Sequence, residues 1–200
     1  SLNLKASSLS AKQGGTRNGS PVGISVTDST LETNSVTLRA ETTNINNSSY
    51  VFGLYILPNG NGSTINLTDT SILVSGEIRS YGLYYFAQNS NMSLISFKNC
   101  SIYATSKIER CFSLFTLRLP ILTIDNCSLT HVYTGTDPNS FASALAWGSA
   151  PVQVNISNAS INAEAKNGGR AYGFEAYSTV NLNISHSEVT SISVDPGSRS

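Results

Sequence analysis

The chain has 200 residues, with Lys plus Arg equal to Asp plus Glu at 12 each and a formal net charge of zero. Charged residues make up 12% of it, about half the usual share, and with no basic stripe a nucleic-acid partner is not expected. No apolar run approaches the roughly 18 residues of a membrane-spanning helix, so no direct membrane insertion of this segment is expected. Ser, Thr, Asn and Gly dominate while Lys is scarce, a composition that suits an extracellular or cell-surface protein.

Residues 1–21 are polar and Gly-rich, and Gly14-Gly15 and Asn18-Gly19 are turn signals. They read as an irregular lead-in or a partial first coil. From Ile24 a pattern begins that organises the rest: apolar, polar, apolar, polar, Asn or Asp, small, Ser or Thr, apolar. It runs Ile24–Leu31, Ile65–Ile72, Ile95–Ile102, Leu122–Leu129, Val154–Ile161 and Leu182–Val189. Successive starts lie 41, 30, 27, 32 and 28 residues apart. The first interval holds an extra alternating run, Val36–Ala40, which reads as an enlarged coil. Between these bend elements lies a second, aromatic and Gly-rich one. It runs Tyr50–Leu57, Tyr81–Phe86, Phe112–Leu117, Phe141–Trp147 and Tyr172–Tyr177. Residues 195–200, starting Asp-Pro-Gly, read as a closing turn.

The bend element alternates with a period of two, a strand signal, and no helical period appears. The break at Asn-x-Ser makes it two short strands with a bend between them. Three short strands per long period, without hairpin dipeptides inside, point to a repeat architecture rather than a sandwich. The fold expected is all-β: a right-handed parallel β-helix of about six coils over residues 22–194. Equivalent residues then stack on successive coils. Ile24, Ile65, Ile95, Leu122, Val154 and Leu182 form one inward column. Asp28, Asp69, Asn99, Asn126 and Asn158, ending on His186, form a polar ladder at the bend, as stacked Asn side chains do elsewhere.

Three cysteines are present. Cys100 and Cys127 share a repeat position also held by Thr70, Ala159 and Ser187. They read either as stacked buried thiols or as a bridged pair, since neighbouring strands at about 4.8 Å fall within the disulfide range. No Cys/His spacing supports a metal site, and no cofactor is expected. Asn-x-Ser/Thr sequons lie at Asn18, Asn46, Asn47, Asn61, Asn66, Asn91, Asn99, Asn126, Asn155, Asn158 and Asn183. The abundance of Asn, Ser and Thr accounts for them, and the repeat accounts for Asn99, Asn126 and Asn158.

No catalytic residue is assigned. The carboxylates are dispersed, His131 and His186 stand alone, and no nucleophile elbow, phosphate loop or HExxH occurs. The aromatic element is more informative. With Leu54, Leu83, Leu114, Ala144 and Phe174 taken as inward, alternation turns Tyr55, Tyr84, Phe115 and Leu145 outward. Two further on come Phe86, Leu117, Trp147 and Tyr177. The candidate binding residues are Tyr55, Tyr84, Phe86, Phe115, Leu117, Trp147 and Tyr177, an exposed apolar stripe of the kind that marks contact sites. A covering loop or a slip in strand parity would remove it.

Repeats such as Val154–Ala163 followed by Arg170-Ala-Tyr-Gly-Phe174 resemble the passenger domains of bacterial autotransporter adhesins, over roughly residues 22–194. The resemblance implies an exported stalk tethered to the outer membrane, whose side binds a host surface protein or glycan, or like molecules by self-association. The chain departs from that family in holding three cysteines. A non-enzymatic adhesin or stalk is the function expected. The alternative is a carbohydrate-active, pectin-lyase-like β-helix with an unrecognised site.

Overall fold

The computed structural model describes residues 1–13, 20–43, 50–58, 62–87, 93–118, 121–148, 152–177 and 180–194. Their regular structure is all β. Coil 1 is β1 (Leu2–Lys5), β2 (Ser8–Gln13) and β3 (Val22–Val26). Coil 2 is β4 (Thr30–Asn34), β5 (Thr37–Thr42) and β6 (Tyr50–Ile56). Coil 3 is β7 (Thr64–Thr68), β8 (Ser71–Ser75) and β9 (Arg79–Phe86). Coil 4 is β10 (Leu94–Lys98), β11 (Ser101–Ser106) and β12 (Cys111–Leu117). Coil 5 is β13 (Ile121–Asp125), β14 (Ser128–Tyr133) and β15 (Phe141–Trp147). Coil 6 is β16 (Val152–Ser157), β17 (Ser160–Ala165) and β18 (Arg170–Ala176). β19 (Val180–Ser185) and β20 (Glu188–Ser193) begin a seventh.

The first strands of the coils pair in chain order to form sheet A, the second strands sheet B and the third strands sheet C. Every one of these pairings is parallel. The chain is therefore a parallel β-solenoid, or β-helix, as the long period and two-residue alternation predict. Residues 1–21 supply β1 and β2, which pair with β4 and β5. The turn signals at Gly14-Gly15 and Asn18-Gly19, the segment 195–200 and the sequons at Asn18, Asn46, Asn47, Asn61 and Asn91 lie outside the described residues.

The register corrects the first repeat. Ile24 and Val26 belong to β3 and pair with Leu54 and Ile56 of sheet C. The partners of Ile65 and Leu67 in sheet A are Leu31 and Thr33. The inward column therefore starts Leu2, Leu31, Ile65 and continues through Ile95. The run Val36–Ala40 is not an insertion, because Thr37–Thr42 is the sheet B strand of coil 2. Asp28 leaves the ladder accordingly. It precedes β4, at the turn from sheet C to sheet A. It mimics a ladder residue because the local chemistry is the same: Asp28 has a φ of 43°, and Ser29 Oγ donates to the carbonyl of Thr27 at 2.8 Å.

Every corner between sheets A and B turns on one left-handed residue. These are Ala6, Ser35, Asp69, Asn99, Asn126, Asn158 and His186, with φ between 43° and 57°. Asn and Asp, and to a lesser degree His, enter this region at less cost than other side-chain-bearing residues. The next residue turns its side chain into the corner and closes it. Ser7, Thr70, Cys100, Cys127 and Ser187 each donate to the carbonyl two residues back, at 2.7 to 3.2 Å. The corner amides bond across coils, as Asn99 N–H to the carbonyl of Asp125 and Asn126 N–H to that of Ser157.

The ladder itself is real over three rungs. Asn99 Nδ2 donates to Asp69 Oδ1 at 3.0 Å, and Asn126 Nδ2 to Asn99 Oδ1 at 2.9 Å. Asn158 diverts to Asp125 Oδ1 at 3.2 Å, where Ser157 also donates. Cys100 and Cys127 are buried free thiols at the stacked corner position, with the Cys100 N–H directed at Cys127 Sγ at 3.3 Å.

The corner chemistry gives a test. Asn126→Ala keeps a Cβ in the left-handed region and loses the rung to Asn99, so urea unfolding should show a loss of about 1–2 kcal/mol. Asn126→Gly loses the rung alone and should be the milder of the two. An order with Gly worse than Ala would show that backbone handedness does not govern the corner.

Candidate functional site

Sheet C carries the aromatic element, and one break in alternation shapes its outer face. The register runs Leu54, Leu83, Leu114, Leu145, Phe174 along the inward column. The residue before each is small: Gly53, Gly82, Ser113, Ala144 and Gly173. It too faces the interior. A Cβ on Gly53 would lie 2.3 Å from Ile72 Cγ2, and one on Gly82 2.2 Å from Ile102 Cγ2. Two successive inward positions put residues 52 and 55 on the same outer face. Strict alternation turns 52 inward, which is why sequence reasoning misses this second column; the recurring small residue is the signal that finds it.

The outer face accordingly bears two aromatic columns. Phe52, Tyr81 and Phe112 stack with centroids 5.2 and 5.4 Å apart and planes 16° and 17° from parallel. Tyr55, Tyr84 and Phe115 stack at 5.5 and 5.4 Å, with 12° and 17° between planes. The columns lock edge to face, as Tyr81 does on Tyr84 at 5.1 Å and 83°. Such pairs are worth about 0.5–1.5 kcal/mol each beyond their buried area. Tyr81 and Phe112 are buried by their neighbours, whereas Phe52, Tyr55, Tyr84 and Phe115 remain half-buried. Farther along, Phe141 and Tyr172 extend the cluster with a T-shaped contact at 5.4 Å.

Of the seven predicted contact residues, Tyr55, Tyr84 and Phe115 form one column. Phe86 and Leu117 pair in the next outer row, both half-buried. Tyr177 lies just beyond β18, 59% exposed, its hydroxyl bonded to Glu175. Trp147 must be corrected. Leu114 pairs with Leu145, not Ala144, so Trp147 falls in register with Thr116 on an inward row. A one-residue slip exchanges the two faces of a strand, and Trp147 is 1% exposed inside the core. Gly148 takes the outer place, its N–H bonded to the carbonyl of Thr116.

At its coil 1 end the aromatic face opens into a recess of about 530 Å³. Ser20 and Val22 line it from coil 1, Phe52 and Tyr55 from coil 2, and Tyr81 and Tyr84 from coil 3. Arg79 and Tyr50 complete the lining. The Arg79 guanidinium pairs with Glu109, donates to the Tyr50 hydroxyl at 3.1 Å and lies 5.1 Å from the Tyr50 ring centroid. Burial opposes its charge, but the Glu109 hydrogen bond and charge outweigh this and raise it above the ordinary arginine value. Burial pushes the Tyr81 phenol up to about 12 against the pull of Arg79, so it stays protonated at neutral pH.

Among the described residues no three of His, Cys, Asp and Glu converge as a metal site. Cys111 is fully buried and its thiol is pushed up by burial. His131 is sealed in sheet B between Ala104 and Ala163. Comparison with family models, with curated proteins and with solved structures finds no match. The class is therefore defined by the fold: a parallel β-solenoid with an aromatic outer sheet.

Two measurements check these placements. Trp147 should emit as a buried indole and resist acrylamide; a red-shifted, freely quenched emission would return it to the surface. Burial alone pushes His131 down to about 3, against about 6.5 when unfolded. The unfolded chain therefore binds the extra proton between these values, and stability is full above pH 6.5 and falls as the pH drops toward 3. Thermal unfolding should show that loss between pH 6.5 and 4.5, and His131→Leu should flatten it. An unchanged slope in the variant would assign it elsewhere.

Proposed function

We propose that this chain is a non-enzymatic β-solenoid segment of an adhesin or stalk at the cell surface, tethered to the outer membrane, that contacts its partner through the outer face of sheet C. The partner class is a host surface protein or glycan, or a like molecule. The observation that carries the reading is the pair of aromatic columns led by Phe52 and Tyr55. A strand face turned to water ordinarily alternates toward polar residues, whereas this one gathers half-buried rings beside a recess. Rings in a well-packed patch with a polar rim are the residues on which binding energy concentrates. The low charge and the scatter of carboxylates also favour contact over chemistry, and the Ser-, Thr- and Asn-rich composition favours an exported location.

The test compares the chain with a Tyr84→Ser/Phe115→Ser double variant for binding to matrix proteins, immobilised glycans and itself. The wild-type chain is expected to bind at least one of them, and the variant at least tenfold more weakly. Equal binding by the two would remove sheet C as the contact face. Cleavage of pectin, alginate or glycosaminoglycan, abolished by a single Asp or Glu change, would replace this reading with an enzymatic one.

A further inference from the structure

The two aromatic columns stop short of coil 1. Register carries the first from Phe52 to Val22 and the second from Tyr55 to Ser25. A short aliphatic and a hydroxymethyl group thus stand where coils 2 to 4 hold rings. Within its column each inner ring is flanked on both sides, whereas Phe52 and Tyr55 have an in-column ring partner on one side. The recess of about 530 Å³ lies at this end, within the range of about 300–1,000 Å³ typical of small-ligand sites.

We propose that this recess binds a neutral pyranoside, its sugar ring seated against Phe52 and Tyr55 in the place of the two missing rungs. The inference rests on sheet C being the binding face and adds the ligand class. A pyranose offers a flat C–H-rich face and a periphery of hydroxyls, and the recess presents the same division. Phe52, Tyr55 and Val22 give it apolar surface, and Tyr50, Tyr84 and Arg79 bring phenol and guanidinium donors to the lining. Charge selects neutrality. The cation of the lining is already paired with Glu109, so a carboxylate or sulfate on the ligand would meet a neutralised ion pair rather than a free positive charge. A purely aromatic ligand would stack but leave the polar lining unused, and displacing its water without replacing the hydrogen bonds loses affinity.

The experiment titrates the 200-residue chain with neutral oligosaccharides built on glucose, galactose, mannose and fucose, with uronate and sulfated oligosaccharides, and with indole as an aryl probe. Binding is read by ligand-observed NMR and calorimetry. Val22→Phe builds the missing rung into the protein and fills the recess. Ser25→Phe, at an exposed site, places a ring in register against Tyr55 of the lining, should the first variant fold poorly. Saturable binding of a neutral oligosaccharide is expected, weakened tenfold or more in either filled variant without a lower unfolding midpoint. Undiminished binding in a folded filled variant would overturn the recess as the site. So would binding of charged oligosaccharides or indole with no neutral one. The broader reading of sheet C stands or falls separately, on Phe115→Ser alone, which lies on coil 4 outside the recess lining, whereas Tyr84 belongs to both surfaces.

Discussion

The structure depends on one corner being made the same way in every coil. A parallel solenoid stacks coils at the inter-strand spacing, so an error in the angle of one turn is passed to every strand beyond it. Here the turn from sheet A to sheet B is fixed by one left-handed residue, from Ala6 to His186. The following side chain closes it, most often with a hydroxyl or thiol on the carbonyl two residues back. The Asn rungs add hydrogen bonds between exposed groups, individually worth little more than about 1 kcal/mol. Their main contribution is the tolerance of Asn for this backbone region. Ala6 and Ser35 hold the same conformation without a rung, which separates the two roles.

Once the corners align, sheet C must solve a packing problem of its own. Two successive inward residues cannot both be large, because the second already reaches the centre as Leu54, Leu83, Leu114 or Leu145. The first is therefore reduced to Gly, Ser or Ala, and where it is Gly the space is taken by Ile72 or Ile102 from sheet B. Turning two positions inward frees the residues on either side to face out together. The aromatic columns are thus a geometric consequence of an interior constraint, and the recess is a consequence of where the columns end.

The repeat made the fold legible before any coordinates, because period-two alternation and like-on-like stacking leave little else for a chain of this pattern to do. Five of the six bend elements align as the sequence suggests. The first fails at Asp28-Ser29, which carries the same left-handed corner and hydroxyl closure as Asp69-Thr70 but at a different turn. Local chemistry cannot tell one corner of a solenoid from another; pairing partners can. The candidate face is half legible in the sequence. Tyr55, Tyr84 and Phe115 follow from simple alternation, whereas Phe52, Tyr81 and Phe112 do not, because alternation fails at the small residue. For Trp147 the single-residue difference between Ala144 and Leu145 as the partner of Leu114 reverses the strand's faces.

The composition of the columns changes along the solenoid axis, and the change bears on function. Beside Phe52, coils 2 and 3 present Tyr50, Tyr55, Tyr81 and Tyr84, while coils 4 and 5 present Phe112, Phe115 and Phe141 before Tyr172 of coil 6. Ring stacking alone would be served equally by Phe throughout. A phenol adds a hydroxyl whose burial costs free energy unless it is bonded, and Tyr81 is 8% exposed. Arg79 answers part of that cost by donating to Tyr50 and by lying close enough to Tyr81 to oppose the rise in its pKa. Polar groups are therefore placed, at some expense to packing, at the coil 1 end of the columns, where Val22 and Ser25 stand in place of rings. Columns that served only to glue coils together would gain nothing from a phenol over a phenyl group. Here Tyr50, Tyr55, Tyr81 and Tyr84 all line the recess, beside the ring faces that stacking leaves free.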